Sequence, residues 1–395
     1  MIGSLQRARA LNVCFVSSYP PNHARLSEYG EALVNALLKN KHIQRVHVIA
    51  DVAKNALPKQ IKGKLEINRV WKQDNVLSII NIAKHVRNIR PHVVHFNCYY
   101  KSFGSSRITN FVALLLPLIF RLFKFKTVVT FHNFAEKVNL DKCGFKITSL
   151  DRFGLFLITR LVLFASKVTV TIPSYVNYIK ARYGINAVYI PHGSWNNLCP
   201  NKNFVLENPL KILMFGHQSP SKGAEILIEA AKSLKQEGIN LKLIIAGDEN
   251  PNFKGYLSRL KRLSSDPDII FTGYVKEEDV SGLFNEANIV VLPYLTCLGT
   301  SGVFHLACSY GKPIISSDLP EIKELISEGA SAILVPPNDS TELKKAIRYT
   351  LEHPELMLNM VNKNCNFAEK QTWDKLSDIF GKLYWNLCKT YAREE

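Results

Sequence analysis

Short apolar runs alternate with amphipathic segments along almost the whole chain. The runs are continuously apolar and rich in β-branched residues, as at Val168–Ile172 and Ile289–Leu292. Runs of this kind are typical of parallel strands buried on both faces, and the segments between them have the spacing of helices that cover such a sheet. The alternation therefore predicts an α/β fold built on parallel sheets.

A polar stretch with two prolines, Gly193–Leu210, interrupts the alternation, which then starts again. Two such arrays joined by a linker predict two doubly wound, Rossmann-like domains that face a cleft. We expect the first domain to span residues 1–200 and the second to span residues 209–365. Ligands of such sheets bind beyond the carboxyl ends of the strands, so functional residues are expected in the loops that follow strands.

The chain has a formal net charge of +17, from 50 lysines and arginines against 33 aspartates and glutamates. This balance indicates an anionic partner, such as a phosphorylated substrate or an anionic membrane. The sequence shows no helix-turn-helix or RNP signature, and we expect no nucleic-acid partner. The first residues lack the apolar core of a signal peptide, so we expect none, and the longest apolar run, Phe111–Phe120, is far shorter than the roughly 20 residues that span a bilayer. We therefore expect a cytoplasmic protein.

The eight cysteines are scattered along the chain, and none of them forms a Cys-x-x-Cys pair. Their spacing predicts neither a zinc site nor a redox pair. We expect them to be buried free thiols in a reducing compartment.

A first candidate phosphate site follows the strand that ends at Phe215. Gly216 lets the backbone approach a ligand closely, and Lys222-Gly223 then opens a helix. An ammonium group at that position would join the free N–H groups of the helix in binding a phosphate. Taken alone, a solvated lysine on a surface helix explains this short pattern more simply.

Two further motifs have the same placement after a strand. Thr300, Ser301 and Gly302 follow the strand Ile289–Tyr294 and would supply an N-cap and unhindered N–H groups for a second phosphate contact. The backbone of Thr272–Val275 would bracket a base edge. Each is weak alone, because an ordinary capped helix or turn explains it too.

Together these motifs have the order and spacing of a known pattern, and the C-terminal half of the chain resembles the family 4 glycosyltransferases, which have the GT-B fold. The family pattern contains a Gly-Arg pair, a Lys-Gly pair, a strand ending in Ala-Gly, a Gly-x-Val segment and a helix that ends in Gly-x-Pro. The corresponding segments here are Gly216-His217, Lys222-Gly223, Ala246-Gly247, Gly273-Tyr274-Val275 and Gly311-Lys312-Pro313. The resemblance is close over Leu210–Leu351 and looser over the N-terminal half.

The resemblance implies a retaining transferase with a UDP- or GDP-linked sugar as donor and two catalytic residues, His132 and Lys222. His132 ends a strand of the first domain and would contact the donor sugar. The final helix, within residues 371–395, would cross back to complete the first domain, as in relatives. The implied donor-binding residues are Gly216, His217, Lys222, Gly247, Tyr274, Val275, Thr300, Ser301, Gly302 and Val303.

The sequence departs from the family pattern at three positions. Leu298 and Leu306 stand where most relatives have two glutamates, and His217 stands where they have arginine. A leucine cannot hold the ribose hydroxyls, as the second glutamate does in relatives. A branch of the family carries Thr-x-Ser-Gly-Val in this place beside a Lys-Gly loop without the arginine, and this chain resembles that branch.

The implied chemistry tolerates these losses, because in retaining transfer on this fold the leaving phosphate itself takes the proton of the acceptor. The protein then has to stabilise charge on the diphosphate and to position both substrates, which Lys222 and the amides of Ser301–Val303 can do. No Asp-x-Asp motif for a metal is present, since Asp266–Asp268 is expected to be a turn before a strand. We expect a metal-independent reaction without a cofactor other than the donor.

Two segments, Asn110–Lys126 and Arg152–Lys167, combine apolar bulk with basic residues. They are either core helices with basic ends or stretches that dock on an anionic bilayer. We expect a glycan or lipid-linked acceptor of surface polysaccharide or glycolipid assembly, with peripheral contact to the inner face of the cell membrane. Two alternatives stay open: a nucleotide-sugar epimerase or hydrolase of the same fold, and a non-catalytic subunit that binds a glycan or a partner protein.

Overall fold

The computed structural model describes residues 10–22, 26–54, 56–137, 148–195, 199, 206–297 and 299–391. The chain divides into two compact units. The first contains the chain up to Glu136, the segment Thr148–Gly193 and the segment that begins at Trp373, and the second contains Ser194–Thr372.

The first unit is built on one sheet of eight strands, in the order β3-β4-β2-β1-β5-β6-β7-β8. All neighbouring strands are parallel except β3 and β4, which form an antiparallel edge pair. Its strands are β1 Leu11–Val16, β2 Ile43–Asp51, β3 Lys59–Lys62, β4 Leu65–Trp71, β5 Val93–Cys98, β6 Thr127–Phe131, β7 Lys167–Val170 and β8 Val188–Tyr189. Its helices, apart from the last one of the chain, are α1 Ser27–Lys39, α2 Ser78–Ile89, α3 Arg107–Leu114, α4 Leu116–Leu122, α5 Ser149–Val162 and α6 Pro173–Tyr183.

The second unit has a parallel sheet of six strands in the order β11-β10-β9-β12-β13-β14. The chain reverses its direction of winding between β9 and β12, which is the switch point of a doubly wound sheet. The strands are β9 Leu210–Phe215, β10 Leu241–Ala246, β11 Ile269–Gly273, β12 Ile289–Leu292, β13 Ile314–Ser317 and β14 Ile333–Val335. The helices are α7 Ala224–Gln236, α8 Tyr256–Arg262, α9 Glu277–Glu286, α10 Gly302–Ser309, α11 Pro320–Ser327, α12 Ser340–Glu352 and α13 Pro354–Lys370.

The last helix, α14 (Trp373–Tyr391), packs on α1 as part of the first unit. The Asn40 side chain, just after α1, donates a hydrogen bond to the Ser377 carbonyl at 3.0 Å. The Tyr384 hydroxyl lies 2.6 Å from Nδ1 of His95, and both side chains are fully buried. Helix α14 therefore contributes to the core of a unit whose other elements end about 180 residues earlier at Gly193.

The prediction of two doubly wound α/β domains is confirmed for the fold, but several details differ. The hairpin β3–β4 and helix α13 carry no clear apolar run and were not expected. The outer strand of this hairpin, β3 (Lys59–Lys62), is polar and largely exposed.

The expectation of free thiols is wrong for one pair of cysteines. Cys199, in the linker segment, is disulfide-bonded to Cys365 of α13, 166 positions along the chain. Gly311 lies against this bridge, since a Cβ there would be 2.7 Å from Sγ of Cys365. Cys14, Cys98, Cys297 and Cys308 are buried and unbridged, as expected, whereas Cys388 is partly exposed.

Candidate functional site

The predicted donor-site residues of the second unit lie at one edge of its sheet. Gly216 follows β9, Gly247 follows β10, Tyr274 follows β11, and Thr300 belongs to the segment after β12. These four strands are neighbours in the sheet and parallel. Their carboxyl ends therefore meet at one edge, on both sides of the switch point where ligands of doubly wound sheets bind.

The backbones at the ends of β9, β10 and β11 are in direct contact at this edge. The Gly216 N–H donates to the Ala246 carbonyl at 2.9 Å, and the Gly247 N–H donates to the Gly273 carbonyl at 3.0 Å. Gly247 has a φ of +121°, and a Cβ on it would lie only 2.3 Å from the Gly216 carbonyl oxygen. Position 247 therefore has to be glycine, and the edge presents backbone rather than side chains to a ligand.

Lys222 lies beside this edge in a short 3-10 turn, Pro220–Lys222, that ends immediately before α7. Its Nζ lies 3.7 Å from the centroid of the buried Tyr294 ring, just after β12, in a cation–π contact. The Leu295 N–H donates to the Ser221 carbonyl at 2.9 Å and holds the two segments together. Among the described residues, no carboxylate forms an ion pair with Lys222.

Ser301 is the N-cap of α10, and its Oγ accepts the Phe304 N–H at 3.2 Å. The Tyr294 hydroxyl lies 3.3 Å from the same Oγ. The ammonium of Lys222 and the N-terminus of α10 are thus joined through Tyr294, which brings a full and a partial positive charge to the same part of the sheet edge. Such a group can bind a phosphate or diphosphate.

The remaining residues of this edge have different environments. Thr300 does not cap the helix; its Oγ1 lies 3.1 Å from Nε2 of His305. Gly302 is the first residue of α10, and Val303 Cγ2 lies close to Gly216, 3.3 Å from where a Cβ would be. Among the other predicted positions, the half-buried ones are His217 and Val275, and the most exposed is Tyr274 at 54%.

Of the two leucines at the expected glutamate positions, the structure describes only Leu306. Leu298 lies outside the described residues. Leu306 is half-buried on α10 and packs against the apolar cluster around Phe304 and Phe284. At the position where the resemblance implies a ribose-binding glutamate, the structure therefore has an apolar contact.

In the first unit, His132 directly follows β6 and is 8% exposed. Its Nε2 lies 2.6 Å from Oδ1 of Asn97, whose amide donates to Oγ of Ser17 at 2.9 Å and to the Leu26 carbonyl at 3.2 Å. Because the Asn97 amide is used twice as donor, its oxygen accepts and His132 donates from Nε2. Nδ1 is then the acceptor atom of a neutral imidazole.

Burial lowers the pKa of His132 to about 3, with smaller contributions from His192 and His95. The ring is therefore neutral near pH 7 and is not an acid there. Tyr29 packs edge-on against it, with ring centroids 4.6 Å apart. His132 can accept a hydrogen bond from a hydroxyl, but it cannot supply a positive charge.

Three histidines of the first unit, the buried His95 and His132 and the half-buried His192, make its stability depend on pH. Burial lowers the pKa of His95 and His132 to about 3 and that of His192 to about 4, against about 6.5 in the unfolded chain. Below pH 6.5 the unfolded chain therefore binds protons that the folded unit excludes, so stability is highest above that pH and falls as the pH decreases toward 4. We expect each histidine to contribute a slope of about 1.4 kcal/mol per pH unit.

Thermal and denaturant unfolding between pH 4 and pH 7 measures this slope. The variant His95→Gln should reduce this slope by the contribution of one proton, about 1.4 kcal/mol per pH unit, even if the substitution lowers stability at neutral pH. A slope that stays the same in the variant would contradict the assignment of His95 as a buried neutral group.

Sequence reasoning missed Tyr294 and Asn97. Tyr294 follows β12 and Asn97 lies at the carboxyl end of β5, and a polar or aromatic side chain at a strand end is the signal that could have found them. Tyr294 contacts Lys222, 72 positions away, and Asn97 contacts His132, 35 positions away, and contacts between such distant positions are not readable from spacing.

Within the residues that the structure describes, no group of three or more His, Cys, Asp or Glu side chains is placed to hold a metal ion. The described helices also include none that is long and apolar enough to cross a bilayer. Metal independence stays a prediction.

Residues 209–353, which contain all four strand ends of the candidate site, match the family model described as Glycosyl transferases group 1. The chain is 28% identical over 180 residues to the alpha-D-kanosaminyltransferase of Streptomyces kanamyceticus, over 44% of this chain and 45% of that protein. It is 30% identical over 147 residues to the amylovoran biosynthesis glycosyltransferase AmsK of Erwinia amylovora, over 35% of each chain. The chain thus spans less than half the length of these relatives.

Among solved structures, HepE of Anabaena in complex with UDP and glucose has a TM-score of 0.69 to this chain. The match covers 94% of this chain and 99% of HepE at 18% identity, a level at which similarity shows the fold alone. The fold is that of the GT-B glycosyltransferases, as the motifs predicted.

Proposed function

We propose that the protein is a glycosyltransferase that moves a sugar from a nucleotide-diphosphate donor to a glycan or a lipid-linked acceptor in surface polysaccharide or glycolipid assembly. The match of residues 209–353 to a glycosyltransferase family and the named activities of the two relatives support the transferase class. The biosynthetic role named for AmsK supports a polysaccharide acceptor.

One observation carries the proposal for the donor. The ammonium of Lys222 lies on the Tyr294 ring, without a carboxylate partner among the described residues, beside the N-terminus of α10 at the switch point of the sheet. An uncompensated cation beside a helix N-terminus is a site for a diphosphate. HepE, which has the same fold, binds UDP.

In the proposed reaction, the bond from the anomeric carbon to the diphosphate breaks while the acceptor hydroxyl attacks on the same face of the sugar. The diphosphate takes the proton of that hydroxyl, so no protein base is needed. Lys222 and the first N–H groups of α10 stabilise the negative charge that develops on the leaving diphosphate. For His132 we propose a hydrogen bond from a donor-sugar hydroxyl to its Nδ1. Retention of configuration and membership of the Ser-Gly-Val branch belong to the same proposal.

A second candidate function is a non-catalytic subunit that binds a glycan or a partner protein. The observation that favours it is Leu306, which turns an apolar side chain into its own core where relatives carry a ribose-binding glutamate. It is the less economical explanation, because Lys222, Tyr294 and Ser301 keep the arrangement of an anion site.

A donor panel tests the proposal. UDP-, GDP- and ADP-sugars are added to the purified protein, and thermal unfolding and release of free nucleotide with an acceptor extract are measured. A donor at a hundred times its dissociation constant should stabilise the protein by about 2.7 kcal/mol. Stabilisation by one base class and acceptor-dependent nucleotide release support the transferase. Release without an acceptor would indicate a hydrolase, and no stabilisation by any donor would leave the non-catalytic subunit.

A further inference from the structure

Exposed large apolar side chains concentrate on three helices of the first unit, α3, α4 and α5, and on the residues that end them. Single exposed apolar residues are ordinary on protein surfaces, but a concentration on adjoining helices marks an interaction surface. We call this surface the outer face of α3–α5. Its largest exposed side chains are Ile108, Leu122, Phe123, Leu150, Phe153 and Phe164.

The three helices form one continuous layer. They are in mutual contact, and side chains join them at both ends. The guanidinium of Arg107 pairs with the carboxylate of Asp151, which connects the beginnings of α3 and α5. Nη1 of Arg121 donates to the Phe164 carbonyl at 2.6 Å, which connects the end of α4 to the residues after α5. The exposed apolar groups therefore share one surface.

Helix α5 shows why this surface needs a partner. Its inner stripe, including Ile158 and Val162, is buried in the core of the first unit. Leu150 and Phe153 lie on the outer stripe and are 79% and 62% exposed, and Phe164 continues that stripe just beyond the helix. A surface helix normally has a polar outer stripe, and a helix that is apolar on both sides is normally covered.

Basic residues surround the apolar groups. Residues 107–126 and 149–164 contain Asp151 as their only acidic residue, and Arg107 neutralises it. The exposed basic residues of the same face are Arg121, Lys124, Arg152 and Arg160. Exposed apolar side chains beside cations that have no carboxylate partner among the described residues complement a surface with an apolar interior and anionic headgroups. A protein partner of the same size would need carboxylates around an apolar knob, whereas an anionic bilayer supplies both features everywhere.

We propose that the outer face of α3–α5 docks the protein on an anionic lipid bilayer, with Phe123 and Phe153 inserted among the acyl chains and the basic side chains on the headgroups. Phe123 is 73% exposed and directly ends α4, so its insertion needs no rearrangement of the fold. The inference does not depend on sugar transfer, because it rests only on the exposed face of the first unit.

Co-sedimentation with lipid vesicles tests it. The full chain should bind vesicles of phosphatidylcholine and phosphatidylglycerol, and binding to phosphatidylcholine alone should be much weaker. Added salt should weaken binding to the mixed vesicles because it screens the headgroups. The double variant Phe123→Ser/Phe153→Ser should bind these vesicles at least about tenfold more weakly than the wild type. The charge variant Arg152→Gln/Arg160→Gln should lose about fivefold for each residue.

The matched control is Leu57→Ser/Ile61→Ser, at the opposite edge of the same sheet. These side chains are 64% and 61% exposed, so the control removes a comparable exposed apolar surface outside the outer face. It should bind vesicles like the wild type. All three double variants change exposed side chains, and unchanged thermal unfolding verifies that each is folded.

Two results would overturn the proposal. One is a failure of the vesicle test itself: the wild-type protein does not sediment with the mixed vesicles, or Phe123→Ser/Phe153→Ser binds them as well as the control variant does. The other is a dimer of the wild-type chain that dissociates in Phe123→Ser/Phe153→Ser, because the outer face would then be covered by a second copy. Neither result bears on donor binding, so the proposed transferase function would stand or fall separately.

Discussion

Replacing Lys222 by alanine is expected to weaken binding of the nucleotide-sugar donor by about ten- to a hundredfold, since a hydrogen bond from a charged group contributes about 1.5–3 kcal/mol. The free protein should keep its stability. Lys222 lies in a partly exposed turn, and the contact that the structure gives it is with the Tyr294 ring, which contributes about 1 kcal/mol at most at an exposed site.

The measurement is a calorimetric titration of wild type and variant with the donor, or its nucleoside diphosphate, that the panel identifies. The matched control is Lys232→Ala on α7, which removes the same charge from the same unit. Lys232 is exposed, and its Nζ donates only to the Leu263 carbonyl at 3.3 Å. If both variants weaken binding equally, the effect is one of net charge, and the assignment of Lys222 to the diphosphate is wrong.

Tyr294 connects the two parts of this site, Lys222 and the N-terminus of α10. Its ring supports Lys222, and its hydroxyl reaches Ser301, the cap of α10. The aromatic ring thus links the cation to the helix N-terminus across 79 positions of the chain, from Lys222 to Ser301. A cation held in place before the ligand arrives loses less side-chain entropy on binding, which is the physical advantage of such a contact.

The fold class follows from the sequence because its signals are local. Strands such as β9, β10 and β12 are short apolar runs, and each is followed by a glycine or a polar loop. The order of strands in a doubly wound sheet then leaves few alternatives, because crossovers are right-handed and short. The hairpin of β3 and β4 was missed because its edge strand, β3, is exposed and therefore has no apolar run.

The sequence predicted where the residues of the candidate site lie in the fold, but not which of them are in contact. Motif spacing placed Gly216, Lys222 and Ser301 in loops after strands, which are the positions where the structure has them. The contact of Lys222 with Tyr294 and the hydrogen bond of Asn97 with His132 depend on tertiary packing, as does the pairing of Cys199 with Cys365. Spacing alone carries no information on such pairs. The roles of the site residues stay predictions until a ligand is bound.

Replacing Gly223 by alanine is expected to lower the free energy of unfolding of the second unit by about 2–5 kcal/mol, the sum of a left-handed backbone cost and an overpacking cost. Gly223 joins the turn of Lys222 to α7 with a φ of +72°. A Cβ there would lie 2.0 Å from the Pro293 carbonyl oxygen, a backbone atom that cannot move without shifting the end of β12. Hydrogen exchange of peptides from β9 and β12 would measure the loss in this unit alone.

Gly238→Ala is the matched control, because Gly238 follows the other end of α7 with a φ of +85° and no atom within 4 Å of its Cβ position. It should cost only the backbone term, about 1–2 kcal/mol. Equal losses in the two variants would show that contact with Pro293 is not what requires glycine at position 223.

The same contact decides where Lys222 lies. Gly223 lets the turn pack directly on Pro293, and Tyr294, the next residue, then meets the Lys222 ammonium at 3.7 Å. A Cβ at position 223 pushes the turn away from that ring. Gly223→Ala should therefore weaken donor binding as well as the fold, whereas Lys222→Ala should weaken donor binding alone. If Gly223→Ala binds the donor like the wild type at a temperature where it is fully folded, the Lys-Gly pair serves only the packing of α7, and the diphosphate is held by other groups.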